Sequence, residues 1–183
     1  MSSTADIVNE IDDKIVFLRK ISKNDCKFLF NSLKEEKIIK YISIGPLKSL
    51  NHSKQLIKNY LNYWKKNKQF SYIIELNRNK KKTSIGMTNL WNINWLNKRA
   101  EIGIWLVSKH WGQGNAKRTI NLLKIIAFKF LRLNRLEVHI AKKNSYSINL
   151  FKNCGFKQEG ILKDYLYLRG IFHDAIILAL INN

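Results

Sequence analysis

The segment that most restricts the fold is 111–116, which reads Trp-Gly-Gln-Gly-Asn-Ala. It lies between a stretch of alternating apolar residues, which predicts a strand, and a longer stretch that predicts a helix. Gly112, Gly114 and the small Ala116 let the backbone turn tightly and approach a ligand closely. The first amides of the helix then point outward, where the helix dipole favours negative charge. The pattern suits a pyrophosphate, although two glycines in a loop also occur in ordinary turns.

Two better-known phosphate-binding loops do not match this segment. A P-loop requires Gly-Lys-Ser/Thr at a set distance, and no such triplet follows Gly114. A dinucleotide fingerprint requires a third glycine and a downstream acidic residue, and both are missing.

The stretch after the loop has apolar residues at the three-and-four spacing of a core-facing helix, which predicts a helix over about 115–131. The stripe consists of Ala116, Ile120, Leu123, Ala127 and either Phe130 or Leu131. Elsewhere the pattern predicts strands at 14–20, 71–76, 83–91, 99–107, 135–141, 160–168 and 172–181, and helices from about 22, over 49–66 and over 145–153. The basic run 78–82 is interpreted as a hairpin turn rather than a nucleic-acid patch. This order predicts an α/β (α+β) fold, a mixed sheet with helices on both faces.

The composition is that of a single globular domain of 183 residues. The apolar runs are too short to span a bilayer, and no apolar stretch near the start resembles a signal peptide, so we expect a cytoplasmic protein without a membrane partner. The polar segment 1–13 is expected to be a loosely ordered N-terminus.

The chain carries 33 Lys and Arg against 13 Asp and Glu, a formal charge of +20. Such a surface attracts anions: nucleic acid, an anionic cofactor or a phosphorylated acceptor. The abundance of Lys, Asn and Ile together also fits the codon bias of an A/T-rich genome, which would account for part of the charge. The 2 cysteines and 4 histidines show no metal-binding spacing, so no metal site is expected.

Several further segments occur in a recognisable order. They are Ser-Ile-Gly-Met at 84–87, Arg-Ala-Glu-Ile-Gly-Ile-Trp-Leu at 99–106, the loop 111–116, Asn-Ser-Tyr-Ser at 144–147, Gly-Phe at 155–156, Glu-Gly-Ile-Leu at 159–162 and Tyr-Leu-Arg-Gly-Ile-Phe-His-Asp at 167–174. With these segments the chain from residue 83 onward resembles the GNAT superfamily, in the branch of the ribosomal-protein N-acetyltransferases (RimJ/RimL-like) and related small-molecule N-acyltransferases. The first 80 residues match only in layout.

The resemblance implies one GNAT domain over 1–183, with a central sheet of about seven strands that splays between strands four and five. It also implies acetyl-CoA or another short-chain acyl-CoA as cofactor. The implied cofactor residues are Ile104, Trp105, Leu106 and Val107 along the pantetheine arm, Gly112, Gln113, Gly114, Asn115, Ala116 and Lys117 at the pyrophosphate, and Asn144 and Phe151 beside the arm. Arg118 stands where the branch usually has Glu, an added cation that suits a phosphate.

The implied reaction is direct attack of a neutral amine on the thioester. It requires a base, hydrogen-bond donors for the developing oxyanion and an acid for the thiolate. Glu101 is the candidate base, through water, unless it only pairs with Arg99 or a lysine. Ser147 and either Tyr165 or Tyr167 are candidate acids, although Ser147 fits equally as a first-turn residue of a helix and the tyrosines as packing residues.

Trp91, Asn92 and Trp95 are predicted to form part of the acceptor pocket, where tryptophans could stack on a base or sugar ring. Core anchoring by one tryptophan fits equally well. Because the surface is basic, the favoured acceptor is an anionic small-molecule amine, a nucleotide-linked amino sugar. The alternatives are the N-terminal amine of a ribosomal protein, an antibiotic or amino-acid adenylate and, from another class, a non-catalytic nucleic-acid-binding protein on a GNAT fold. Analogy with the family suggests a homodimer.

Overall fold

A computed structural model describes residues 6–78 and 81–182 of the chain. The strands are β1 Glu10–Asp12, β2 Val16–Lys20, β3 Phe70–Arg78, β4 Lys81–Asn94, β5 Arg99–Leu106, β6 Arg135–Ala141, β7 Lys157–Leu168 and β8 Ile171–Ile181. The helices are α1 Cys26–Ser32, α2 Glu36–Ile39, α3 Leu50–Lys65, α4 Asn115–Lys124 and α5 Ser145–Lys152. Residues 79 and 80 of the basic run 78–82 lie outside the described residues.

The strands form one sheet in the order β1-β2-β3-β4-β5-β6-β8-β7. Neighbouring strands are antiparallel except β5 and β6, which are parallel. The β5–β6 pairing covers only Arg99 to Glu101 against Arg135 to Glu137, whereas β5 continues to Leu106. The two strands therefore separate beyond Glu101 and leave a gap in the sheet. This confirms the predicted mixed α/β fold and its splay, here with eight strands.

The sheet carries a hydrophobic core on each face, because successive strand residues point to opposite sides. On β3, Tyr72 belongs to the core under α4, together with Ile120 and Leu123. Its neighbour Ile73 belongs to the second core, which includes Ile57 of α3. Helices thus cover both faces, as the strand and helix order predicted.

Of the N-terminal segment 1–13, residues 1–5 lie outside the described residues, and β1 pairs with β2 over Glu10–Asp12. The turn between them is held by the Asp13 carboxylate, which accepts hydrogen bonds from the backbone N–H groups of Ile15 at 3.1 Å and Val16 at 2.8 Å. These local bonds stabilise the turn, so that β1 can pair with β2 at the edge of the sheet.

The predicted helix over 115–131 forms in two parts. The α-helical part ends at Lys124, and Ile125–Phe130 continues as a π-helix. The wider turn leaves Leu131, 3 % exposed, as the last residue of the core stripe rather than Phe130. No helix in the described part of the chain combines the length and apolarity needed to cross a membrane.

Candidate active site

The gap between β5 and β6 offers backbone groups to a ligand. The Val107 N–H donates to the Ile85 carbonyl on β4 at 2.8 Å. The Trp105 carbonyl also faces β4, since a Cβ added at Gly86 would lie 2.2 Å from that oxygen. Backbone groups alternate along an antiparallel pair, so those of Ile104 and Leu106 face the gap instead.

Only part of the predicted pantetheine-binding backbone is therefore available. The Leu106 carbonyl already accepts the indole N–H of Trp111 at 2.8 Å. Both backbone groups of Ile104 and the N–H of Leu106 remain for an extended ligand. The backbone of Trp105 and Val107 serves the β4–β5 ladder, while the Trp105 side chain lines the cleft described below.

The loop before α4 has the form predicted from its glycines. Gly112 and Gly114 have φ of 70° and 77°, in the left-handed region that glycine adopts without strain. Among the described residues, no atom lies within 4 Å of a Cβ added at either position, so the space before the loop is open. Gly114 is the N-cap of α4, and no side chain caps the first amides of this helix. An open glycine loop with uncapped amides fits a pyrophosphate.

Polar side chains near the loop hold it in place rather than face the open space. Gln113 donates to the Lys109 carbonyl at 2.9 Å, and Asn115 to the His110 carbonyl at 3.3 Å. The Arg118 guanidinium is paired with Asp13 at 2.8 Å. Lys117 is exposed on the first turn of α4, next to the half-buried Ala116.

Helix α5 begins at the gap-side end of β6. The Asn144 side-chain oxygen accepts from the Ser147 backbone N–H at 3.2 Å, so Asn144 caps the helix and Ser147 lies in its first turn. Phe151 is 1 % exposed and packs edge-on against Phe156 with ring centroids 5.1 Å apart. The structure places Phe151 in the core rather than beside the gap, because it lies on the inward face of α5.

A cleft of about 380 Å³ opens over the same part of β5. It is lined by Tyr41, Ile42, Ser43, Ile44, Tyr60, Gln69, Met87, Asn89, Trp91, Glu101, Ile102, Gly103, Ile104, Trp105, His139, Tyr165, Leu166 and Leu168. Glu101 is the acidic residue of this set, and no Lys or Arg occurs among these lining residues of the described chain.

Glu101 is at the centre of a polar network in the cleft. Its carboxylate accepts from the Asn92 side-chain amide at 2.6 Å and lies 3.0 Å from Nδ1 of His139. Burial of Glu101 acts to raise its pKa, but the hydrogen bonds from His139 and Asn92 outweigh it, and the pKa lies below its ordinary value. An ionised carboxylate only accepts, so Nδ1 of His139 carries the proton and, in the neutral ring, Nε2 is free to accept one.

His139 was missed because the histidines were judged only by their spacing along the chain. A usable pattern existed: Leu136, Val138 and Ile140 face the core, which directs His139 to the other face of its strand. Glu101 lies on that face of the neighbouring strand, opposite Glu137. Only the parallel pairing of these strands, whose paired residues are 36 positions apart in the sequence, makes the contact.

The Tyr165 ring lies against His139, with ring centroids 4.9 Å apart. Partial burial raises the pKa of Tyr165, and the charges of Glu101 and Glu137 add to the effect, so the hydroxyl stays protonated at neutral pH. Tyr167 instead packs against Phe172, with centroids 4.8 Å apart, and is not a lining residue of the cleft.

The predicted acceptor segment 91–95 is divided by the fold. Trp91, 42 % exposed, lines the cleft. Asn92 has φ 48° at an irregularity in the β4–β5 ladder, which turns its amide to Glu101. Trp95 lies outside the cleft: its indole donates to the Asn67 carbonyl at 3.0 Å, and its ring packs edge-on against Phe70.

One wall of the cleft is the segment 41–44, which follows α2. Arg169, in the turn between β7 and β8, lies within hydrogen-bond distance of the carbonyls of Ile39, Ile42, Ile44 and Gly45. This contact spans more than 120 residues of sequence and fixes the wall to the far edge of the sheet. The described residues contain no group of three or more His, Cys, Asp or Glu side chains placed to hold a metal ion.

Comparison with known proteins agrees with this geometry. Residues 16–157 match the family described as "Acetyltransferase (GNAT) domain". The chain is 27% identical over 158 residues to spermidine N(1)-acetyltransferase of Vibrio cholerae serotype O1, covering 86% of this chain and 88% of that protein. It is 32% identical over 95 residues to ribosomal-protein-serine acetyltransferase of Escherichia coli K12, covering 52% and 53% of the two chains.

Among solved structures, spermidine N-acetyltransferase from Vibrio cholerae in complex with CoA and spermine superposes with a TM-score of 0.81 at 25% identity, covering 92% of this chain and 96% of that one. The matched family spans both the gap and most of the cleft. The chain therefore belongs to the GNAT acetyltransferase family and is an acetyl-CoA-dependent N-acetyltransferase.

Proposed function

We propose that this enzyme acetylates a small primary amine that carries positive charge, of the polyamine class. The observation that carries the proposal is the lining of the cleft, which has the ionised Glu101 and no Lys or Arg among its described residues. A cation gains from such a site, whereas an anion meets a carboxylate with no compensating charge. The similarity to proteins named for spermidine supports the same class.

The net charge of +20 led to the expectation of an anionic, nucleotide-linked amino sugar. That expectation stays a prediction, and the cleft does not support it, because the basic residues lie elsewhere on the surface. A basic exterior is compatible with a cationic acceptor when the cofactor is the anion that is attracted. The N-terminal amine of a ribosomal protein is the second candidate, in view of the similarity to ribosomal-protein-serine acetyltransferase.

In this proposal acetyl-CoA supplies the acyl group as a thioester. The protein side of its site consists of the gap-facing backbone of Ile104 and Leu106 and the amides at the start of α4. The glycines of the loop keep that approach open. Lys117 and the side-chain amide of Asn144 are placed to add polar contacts, whereas Phe151 contributes through the core.

The amine must lose a proton before it attacks. His139 Nε2 is the proposed acceptor of this proton, and Glu101 orients the ring through Nδ1 and stabilises its protonated form. Asn92 in turn orients Glu101. The Tyr165 hydroxyl, held in its protonated form beside His139, is the proposed proton donor. Ser147, in the first turn of α5, is the weaker candidate for that role.

The test begins with thermal stabilisation by acetyl-CoA and by CoA, followed by release of free thiol with a panel of acceptors. The panel contains spermidine, spermine, a nucleotide-linked amino sugar and a peptide with a free N-terminus. We expect stabilisation by both cofactor forms and thiol release with the polyamines. Release only with the nucleotide-linked sugar or only with the peptide would contradict the proposed acceptor class.

A single domain over 1–183, a cytoplasmic location and a homodimer also remain predictions. Size-exclusion chromatography with light scattering checks the last of these.

A further inference from the structure

Two polar atoms in the cleft have no partner within the described residues. They are the Tyr60 hydroxyl and the side-chain oxygen of Asn89. Both atoms are buried, and both residues line the cleft. A buried polar group without a hydrogen bond costs free energy, so native proteins retain one mainly where a water or a ligand satisfies it.

The position of Asn89 places its amide next to the reacting region. Asn89 on β4 pairs with Gly103 on β5, and Trp91, two residues along β4 on the same face, pairs with Glu101. A Cβ added at Gly103 would lie 2.4 Å from the Asn89 oxygen. The amide therefore lies over the bare backbone of Gly103, on the face of the sheet that also carries Glu101.

Tyr60 approaches from the opposite wall. It lies on α3, which packs against β3, and it is 5 % exposed. Burial raises the pKa of Tyr60, so its hydroxyl is neutral at neutral pH. A neutral hydroxyl can accept from a donor on the ligand, and the Asn89 oxygen can only accept.

We propose that Tyr60 and Asn89 recognise the amine of the acceptor, as two hydrogen-bond acceptors that receive its N–H groups. The inference rests on the proposed function and deepens it, because it selects ligands whose reacting nitrogen carries at least two N–H donors. A primary amine or ammonium supplies them, and an ether or ester does not. The two residues determine specificity, while proton transfer stays with Glu101 and His139.

The first test compares Tyr60→Phe with Tyr72→Phe as matched control. Tyr72 is an equally buried tyrosine whose hydroxyl donates to the Val8 carbonyl at 2.8 Å, away from the cleft. With spermidine as probe, or the best amine of the panel, Tyr60→Phe should raise KM about 3- to 10-fold and leave acetyl-CoA affinity unchanged. Tyr72→Phe should change neither quantity.

In thermal unfolding without ligand, the same two variants should change Tm in opposite directions. Tyr60→Phe removes an unsatisfied hydroxyl and should raise Tm by about 2–4 °C, whereas Tyr72→Phe removes a satisfied one and should lower it. A wild-type KM for Tyr60→Phe would overturn the inference and assign the hydroxyl to a bound water or to packing.

The second test uses Asn89→Leu and Asn89→Asp. Leucine keeps the volume and removes the acceptor, so KM for the amine should rise about 3- to 10-fold. Aspartate keeps the shape and the acceptor oxygen and adds a negative charge, so KM for a cationic amine should not rise. Equal KM in wild type and Asn89→Leu would overturn the role of Asn89. Failure of the wild-type enzyme to bind acetyl-CoA or acetylate any amine would instead contradict the proposed function, which keeps the two failures distinguishable.

Discussion

The two proposed substrate sides of this enzyme are built in different ways. The proposed CoA side consists of the gap-facing part of β5, the loop 111–116, α4 and the start of α5. Its candidate ligand groups are mainly backbone amides, exposed because two strands separate and because Gly112 and Gly114 adopt positive φ. The proposed acceptor side consists of the segment 41–44, Tyr60 of α3, Asn89 and the Glu101–His139 pair. There the groups are side chains from distant parts of the chain.

The difference explains why the proposed CoA side could be predicted from the sequence, whereas the proposed acceptor side could not. A backbone site depends on local conformation, which a few residues in a row specify. A side-chain site depends on which strands become neighbours, and that is decided by the packing of the whole sheet. The comparison predicts that substitutions on each side affect one substrate and spare the other.

The largest effect is expected on the CoA side. Gly114→Glu should reduce acetyl-CoA affinity by more than about 100-fold, because the new carboxylate lies at the anion site and the left-handed φ disfavours a side chain. Isothermal titration calorimetry with acetyl-CoA measures the change.

Gly170→Glu is the matched control for that variant. Gly170 also has positive φ, 82°, and open space around its Cβ position, but it lies in the β7–β8 turn. It carries the same charge and backbone cost, and its acetyl-CoA affinity should stay near wild type. Equal losses in both variants would refute the loop as a specific anion site.

The second-largest effect is expected at Glu101 and its partners Asn92 and His139, which lie between the two sides. Glu101→Gln should lower kcat about 100-fold with little change in acetyl-CoA affinity, because Asn92 and His139 both donate to this carboxylate and the new amide group opposes one donor. Steady-state kinetics together with calorimetry separates the two quantities. A variant with the kcat and the pH–rate profile of the wild type would remove Glu101 from the mechanism.

The stability of the same variant, measured as a function of pH, is a further test. The pKa of Glu101 is lower in the folded chain than its ordinary value of 4.5, so the hydrogen bonds to its ionised carboxylate stabilise the fold above that pH. The contribution is lost as pH falls through the folded-state pKa. Urea unfolding should therefore show wild type more stable than Glu101→Gln at pH 7, with the difference closing below about pH 4. A difference that grows on acidification would contradict the direction of the shift.

The smallest effect is expected at the wall of the acceptor side. Arg169→Ala should raise KM for the amine about 3- to 10-fold, because the carbonyls of Ile39, Ile42 and Ile44 lose their common donor and the segment 41–44 is no longer held in place. Arg132→Ala is its control, since Arg132 is also exposed and has nearly the same φ, 53° against 54°. Acetyl-CoA affinity should be unchanged in both, and an equal KM in both would show that Arg169 does not position the wall.

Much of the fold could be predicted from the sequence, because its cues are periodic. The stripe through Ile120 and Leu123 marked the helix after the loop, and the alternation in β6 marked a half-buried strand. The short β1 was missed, since three residues give no period and the strand depends on the turn that Asp13 stabilises. The π-helical end of the helix after the loop was missed too, because six residues are too few to show the wider apolar spacing of a π-helix.

Among the candidate site residues, too, some lie where the sequence predicted and others do not. Glu101 was placed near the acceptor by analogy and Trp91 by the stacking capacity of its ring, and both line the cleft. Trp95 and Phe151 were expected beside ligands, but Trp95 packs against Phe70 outside the cleft and Phe151 is buried in the core. Aromatic residues can contact a ligand or pack in the core equally well, so the residue type alone does not decide between these two roles.

The sequence by itself determined the strand–loop–helix unit, its glycine conformations and the family, because each is specified by residues close together in the chain. Only the tertiary structure decided that His139 meets Glu101, that Arg169 holds the opposite wall, and that Tyr60 and Asn89 face the cleft without partners. The contacts of His139 and Arg169 join residues that are 38 to 130 positions apart, and no local pattern reports the distance at which such side chains meet once the sheet has assembled.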